Sequence, residues 1–240
     1  MASPGSANMH ESGRDTYPAE DPRVARSRAA IVAGATEAFL ANGYDRTSVD
    51  DIAAAAGVVK RTVYNVFGDK EHLFQAVLLE AIDTAESYAE RLSTVRVDTS
   101  DPEGALIEIA RDLAESIVGT RVVPLRRLLI AELARFPNLA ADYYERAPGL
   151  VMRTLADTLR RFHDAGTLQV PDPGRAGEQF AFLTIGASLD RHLFEIDRAP
   201  DSLELARDRA ETGVLVFLRA YASLPADTSD ASKRASASRG

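Results

Sequence analysis

From Pro22 to Ala222, apolar residues recur at spacings of three and four, the period of helices that bury one face. No sustained alternation of β-branched residues interrupts this, so no sheet is predicted and the fold class is all-α. Asp21-Pro22 suits a helix start, because Asp can cap and a proline at the first helical position loses no needed N–H. Ile31, Ala35, Ala38 and Phe39 then share one face, and Gly43 ends the helix. Thr47-Ser48-Val49-Asp50 reads as a capping box with Thr47 as N-cap. Short helices are predicted over Ser48–Ala56 and Val59–Phe67, with a break at Gly57, and a long one over Lys70–Arg91. Further helices are predicted over Pro102–Gly119, Val122–Phe136, Asn138–Ala147, Pro148–Ala165, Pro173–Phe194 and Asp201–Ala222. The polar ends, 1–21 and 225–240, offer little to bury and read as disordered tails. The pattern thus divides into a small helical head over 22–70 and a larger helical body over 71–224.

Within the head, residues 52–67 have the inventory of a helix-turn-helix. Ala53 is small where two helices would cross, Gly57 tolerates a tight turn, and Val58 packs inward. Ile52 and Ala56 line the inner face of the first helix, and Val63 and Phe67 that of the second. Val59, Lys60, Arg61, Thr62, Tyr64 and Asn65 are left outward, a polar and basic face suited to a DNA major groove. Taken alone, the Ala-x3-Gly-x5-Val pattern fits two ordinary amphipathic helices equally well.

The flanking residues add to this. Ala38-Phe39, Asn42-Gly43-Tyr44-Asp45-Arg46-Thr47-Ser48-Val49, Ile52-Ala53, Ala56-Gly57-Val58, Val63-Tyr64, Phe67-Gly68-Asp69-Lys70-Glu71 and Leu73-Phe74 together resemble the DNA-binding signature of the TetR family of bacterial repressors. Leu128-Leu129-Ile130-Ala131-Glu132, Arg135-Phe136-Pro137 and Tyr143-Tyr144-Glu145-Arg146 look like a C-terminal subtype of that family. The sequence departs from the pattern at Val59, where a Ser is usual, at His72, where an acid is common and whose presence should weaken the next helix cap, and at Lys60-Arg61, where small residues often stand. The resemblance implies an N-terminal three-helix bundle that binds DNA and a C-terminal domain for effector binding and dimerisation.

Candidate roles follow. Thr47 and Ser48 lie at a helix N-terminus, where hydroxyl and free N–H groups suit a phosphate. Tyr64 resembles a phosphate-contacting position, and Lys70 should reach the DNA backbone. Lys60, Arg61 and Asn65 are the candidates for base edges, with Val59 and Thr62 beside them. Arg23, Arg26 and Arg28 are candidates for phosphate or minor-groove contact, or for simple solvation. A short recognition helix needs a two-fold partner to read a useful site, so a homodimer is expected. Its interface is placed on the last two long helices, through Phe180, Leu183, Leu189, Val214, Phe217 and Tyr221. The family's effector pocket is assigned to Phe136, Tyr143, Tyr144, Met152, Phe162, His163 and Phe182, a lining that suits a flat or apolar small molecule better than a charged one.

Charge and composition narrow the alternatives. The chain carries −8 overall, yet 22–70 holds seven Lys/Arg against five acids, a mildly basic head on an acidic body. It contains no Cys, which excludes thiolate catalysis and Cys-held metals. No apolar run approaches the ~20 residues of a membrane span, and the expectation is a cytoplasmic protein. No nucleophile elbow, phosphate loop or His-x3-His occurs, so no enzyme, no cofactor and no metal is expected. His163-Asp164 with Asp190, His192 and Glu195 is the one arrangement that could hold a metal if two helices met there. The remaining alternative is an architectural DNA-binding protein without an effector.

Overall fold

The computed structural model describes residues 22–94, 97–194 and 202–222. The expected tails, and Glu195 and Asp201, lie outside the described residues. Ten helices are found among the described residues: α1 (Pro22–Asn42), α2 (Val49–Ala55), α3 (Lys60–Phe67), α4 (Lys70–Thr94), α5 (Pro102–Ile117), α6 (Val122–Ala131), α7 (Pro137–Arg146), α8 (Pro148–Asp164), α9 (Pro173–Phe194) and α10 (Leu203–Tyr221). One isolated bridge, Leu168 to Ala222, joins the loop after α8 to the end of α10, and no strand forms among these residues. The all-α expectation holds.

Two buried clusters organise the molecule. The first takes Ile31, Phe39, Ile52, Val63 and Phe67 from the head and continues without a break into Leu73, Phe74 and Leu78 of α4, then Leu125 and Leu129 of α6. Four rings stand at its centre: Phe39, Tyr44, Phe74 and Phe136 lie 4.9–5.6 Å apart in edge-on and stacked pairs. The head's core therefore does not close at residue 70. The second cluster belongs to the body, where α5, α8, α9 and α10 bury Leu106, Leu155, Phe162, Phe180, Val214 and Phe217. α4 runs through both, giving Tyr88 and Leu92 to the second.

Helix ends follow local chemistry. Pro102 opens α5 beside Asp101, whose carboxylate accepts from Gly104 N at 3.0 Å. α6 stops at Ala131, short of the Phe136 expected, and a turn over 132–135 leads to Pro137. Proline disfavours helical backbone at the residue before it, so one continuous helix cannot run through Phe136 into α7.

α9 and α10 cross closely at Gly213. A Cβ there would collide with the backbone of Leu183 and Thr184. Gly213→Val should lower unfolding stability by about 2 kcal/mol, because backbone cannot yield as a side chain does; urea denaturation would measure this, and an unchanged midpoint would contradict the close crossing.

Candidate nucleic-acid interface and the cavity of the helical body

α2 is capped one residue later than expected. Ser48 is the N-cap: its hydroxyl accepts from Asp51 N at 3.1 Å, and Asp51 reaches back to Ser48 N at 2.9 Å. These hydrogen bonds hold the Asp51 carboxyl below its ordinary range. Thr47 is buried, and its hydroxyl donates to the carbonyls of Ala38 and Gly43, closing the end of α1. With that hydroxyl committed and its N–H donating to Tyr44 O at 3.3 Å, Thr47 has no donor left for a phosphate, and the exposed Ser48 hydroxyl donates to the Asp51 carboxylate at 2.6 Å.

The turn between α2 and α3 depends on Gly57, whose φ of 66° lies where only glycine is at ease. Val58 N then donates to Ala53 O at 3.0 Å, drawing the two helices together. Val63 and Phe67 are buried beneath α3. Lys60, Arg61, Tyr64 and Asn65 stand exposed on its outer side, and Thr62 is half-buried. Val59, 70% exposed, is the N-cap of α3 and makes no side-chain cap bond. Its position at the rim leaves an apolar tip where the family pattern has a hydroxyl.

Asp50, expected at the third position of the capping box, makes a different bond. It projects from α2 beside the outer face of α3, and its carboxylate accepts from Lys60 Nζ at 2.8 Å. The pair raises the Lys60 amine above its ordinary range. Lys60 is thus partly neutralised on the face where it would meet DNA. Lys70 is also placed differently from the expectation. Its ammonium lies 4.2 Å from the centre of the Tyr44 ring, folded onto the aromatic cluster, and burial lowers its pKa. Arg28 covers the Phe67 ring at 5.0 Å, and Arg23 and Arg26 are exposed on the first turns of α1. At the start of α4, Asp69 accepts from His72 N at 2.9 Å and faces the His72 ring nitrogen at 2.9 Å, so His72 supports this cap instead of weakening it.

Between α4, α5, α6, α8 and α9 the body holds a narrow cavity of about 70 Å³ that is partly open to solvent. Ala81, Leu113, Ile117, Val151, Met152 and Ile185 are among the apolar residues of its wall, and Arg126 lines it from α6. Of the seven expected pocket residues, Met152 and Phe182 line it. The other five stand elsewhere. Phe136 fills the four-ring cluster, Tyr143 is buried one turn before the cavity wall at Ala147, and Phe162 is core. Tyr144 points to solvent, and His163 is exposed with its ring accepting from Val170 N at 3.2 Å. Arg126 was missed, although a charge on the stripe shared with Val122 and Leu129 was its signal in the sequence.

Of the residues assigned to a dimer contact, Phe180, Val214 and Phe217 are fully buried in the chain's own core. Tyr221 stacks on Phe217, with ring centres 4.4 Å apart, and Leu189 lines the cavity. Leu183 does face outward. With it on the open sides of α9 and α10 stand Phe182 (61% exposed), Phe194 (75%), Leu215 and Val216. Among the described residues no group of three or more His, Asp or Glu could hold a metal ion. His192 uses its Nδ1 on the Ser188 carbonyl, at 2.7 Å.

The chain matches known proteins along most of its length. Residues 31–77 match the family described as bacterial regulatory proteins, tetR family, and residues 104–223 match the AefR-like transcriptional repressor, C-terminal domain. A TetR-family transcriptional regulator from Mesorhizobium loti is 31% identical, with a TM-score of 0.72 over 85% of this chain and all of that one. The flavonoid-responsive regulator FrrA is 30% identical, with a TM-score of 0.63 over 84% of this chain and all of its own. An HTH-type transcriptional repressor of Mycobacterium tuberculosis is 27% identical over 195 residues, 81% of this chain and 96% of that protein.

The Asp50–Lys60 pair carries a testable consequence. Asp50→Asn should release the Lys60 charge and make the log–log salt slope for binding a generic duplex steeper by about one. An unchanged slope in fluorescence anisotropy would show that Lys60 adds no charge to the contact with DNA.

Proposed function

The chain belongs to the TetR family of transcriptional regulators and is not an enzyme; from that premise we propose that it is a cytoplasmic repressor that binds a palindromic DNA operator as a homodimer and releases it when a small apolar or aromatic molecule fills the body cavity. The observation that carries this reading is α3 itself, with its polar and basic side chains at the surface and Val63 and Phe67 buried below. Arg61, Asn65 and Lys60 read base edges in the major groove, Lys60 after leaving Asp50. Tyr64, the first N–H groups of α2 and the Ser48 hydroxyl, once it leaves Asp51, hold phosphates and set the register. Val59 and Thr62 shape the edge of the contact. The arginines of α1 and Lys70 act as flanking charge.

One short helix contacts only a few base pairs, so a second copy related by two-fold symmetry supplies the rest. The exposed apolar side chains of α9 and α10 are the surface for that copy. Release requires that the effector bind one arrangement of the heads better than the other. α6 supports such coupling physically. Its Val122 and Arg126 line the cavity, while Leu125, Leu128 and Leu129 belong to the head's cluster. Its N-cap Arg121 bonds Glu37 of α1, and Arg135 beyond its end bonds Asp45 at 2.6 Å. A constitutive architectural DNA binder would need neither a cavity nor this link.

Two measurements test the reading. Arg61→Ala should cost ~1–3 kcal/mol at one base position of a selected operator and relax specificity there; an unaltered preference would remove Arg61 from the reading set. Leu183→Asp combined with Leu215→Asp should turn a dimer into a monomer by light scattering and weaken operator binding; a wild-type chain that is monomeric at micromolar concentration would contradict the dimer.

A further inference from the structure

We propose that the body cavity is built for an apolar molecule bearing a carboxylate, and that Arg126 holds that carboxylate. This deepens the reading of the cavity as an effector site and rests on it for the regulatory consequence alone. The wall carries four polar side chains, Thr84, Tyr88, Ser116 and Arg126. Three are already spent on backbone carbonyls: Thr84 donates to Glu80 O, Ser116 to Leu113 O and Tyr88 to Ile109 O. Arg126 is different. Its Nε is buried with no hydrogen-bond partner, and no ion pair of Arg126 occurs among the described residues. The neighbouring Arg121, by contrast, is paired with Glu37 and Glu80.

A buried donor without an acceptor is a standing penalty that a bound acceptor removes. The planar guanidinium suits a carboxylate, which can take two of its N–H groups at once. A wholly apolar ligand would leave the donor unsatisfied, so this site departs from the uncharged molecule that the aromatic content of the sequence suggests. The space of about 70 Å³ is smaller than the ~150 Å³ that takes one benzene, so the slender apolar body of the ligand must spread the walls as it enters.

Isothermal titration of the full-length protein with decanoate and with decanol tests this, on wild type, Arg126→Met and Arg126→Lys. Wild type should bind decanoate about tenfold more tightly than decanol, as a hydrogen bond to a charged group implies. Arg126→Met should bind the two alike while melting no lower than wild type, and Arg126→Lys should keep part of the preference. Equal binding of the two compounds to wild type, no binding of decanoate, or a preference that survives in Arg126→Met would overturn the proposal. Should Arg126→Met fail to fold, an undiminished preference in Arg126→Lys would overturn the paired-donor geometry, and a reduced one would support it. Decanoate that binds through Arg126 but leaves affinity for a selected duplex unchanged would defeat the effector reading and leave the carboxylate site standing.

Discussion

Everything on the outer face of α3 depends on what lies under it. Val63 and Phe67, one turn apart, are closed into a core shared with Ile31, Phe39 and Ile52. In a helix of only eight residues this pair fixes the rotation about the axis, and so decides which side chains meet solvent. Gly57 makes the turn that lets α3 lie across α2, and the Ser48–Asp51 box holds α2 at its start. The head has no other means of aiming Arg61 and Asn65, since neither side chain is braced by a neighbour of its own.

That core also ties the head to the body. Tyr44 and Phe74 contact Phe136, which sits at the entry to α7, and three leucines of α6 close the same cluster. A packed cluster of this kind has discrete arrangements and resists smooth deformation. In the proposed switch, movement of α6 on filling the cavity would reach the head as a shift of packed leucines and rings. Phe182 lines the cavity and is also exposed on α9, so the surface proposed for a second copy and the proposed ligand site share a side chain.

Most of the architecture was legible in the sequence because helix periodicity, prolines and glycines all pointed the same way. The outward set on α3 was legible for the same reason: its apolar pair has unambiguous spacing. Three features were hidden. The run Thr47-Ser48-Val49-Asp50-Asp51 contains two overlapping capping boxes, and only the demand of the α1 end for the Thr47 hydroxyl selects the second. Periodicity shows that α9 and α10 are apolar over a wide arc without showing which stripe belongs to the chain's own core, so Phe180, Val214 and Phe217 were assigned to the wrong surface. Aromatic content was a poor guide to the cavity, because Phe136, Tyr143 and Phe162 serve as core while aliphatic side chains line most of the space beside Tyr88 and Phe182. The Asp50–Lys60 pair, ten residues apart across a turn, required the crossing geometry to be known.

In the proposed complex, α3 of two chains reads DNA. Selection of bound duplexes from a random pool by the full-length protein tests it most directly. A dimer that reads DNA through both copies of α3 should enrich two half-sites related by two-fold symmetry at a fixed spacing. Absence of any enriched sequence, or enrichment of a single unpaired motif, would contradict it.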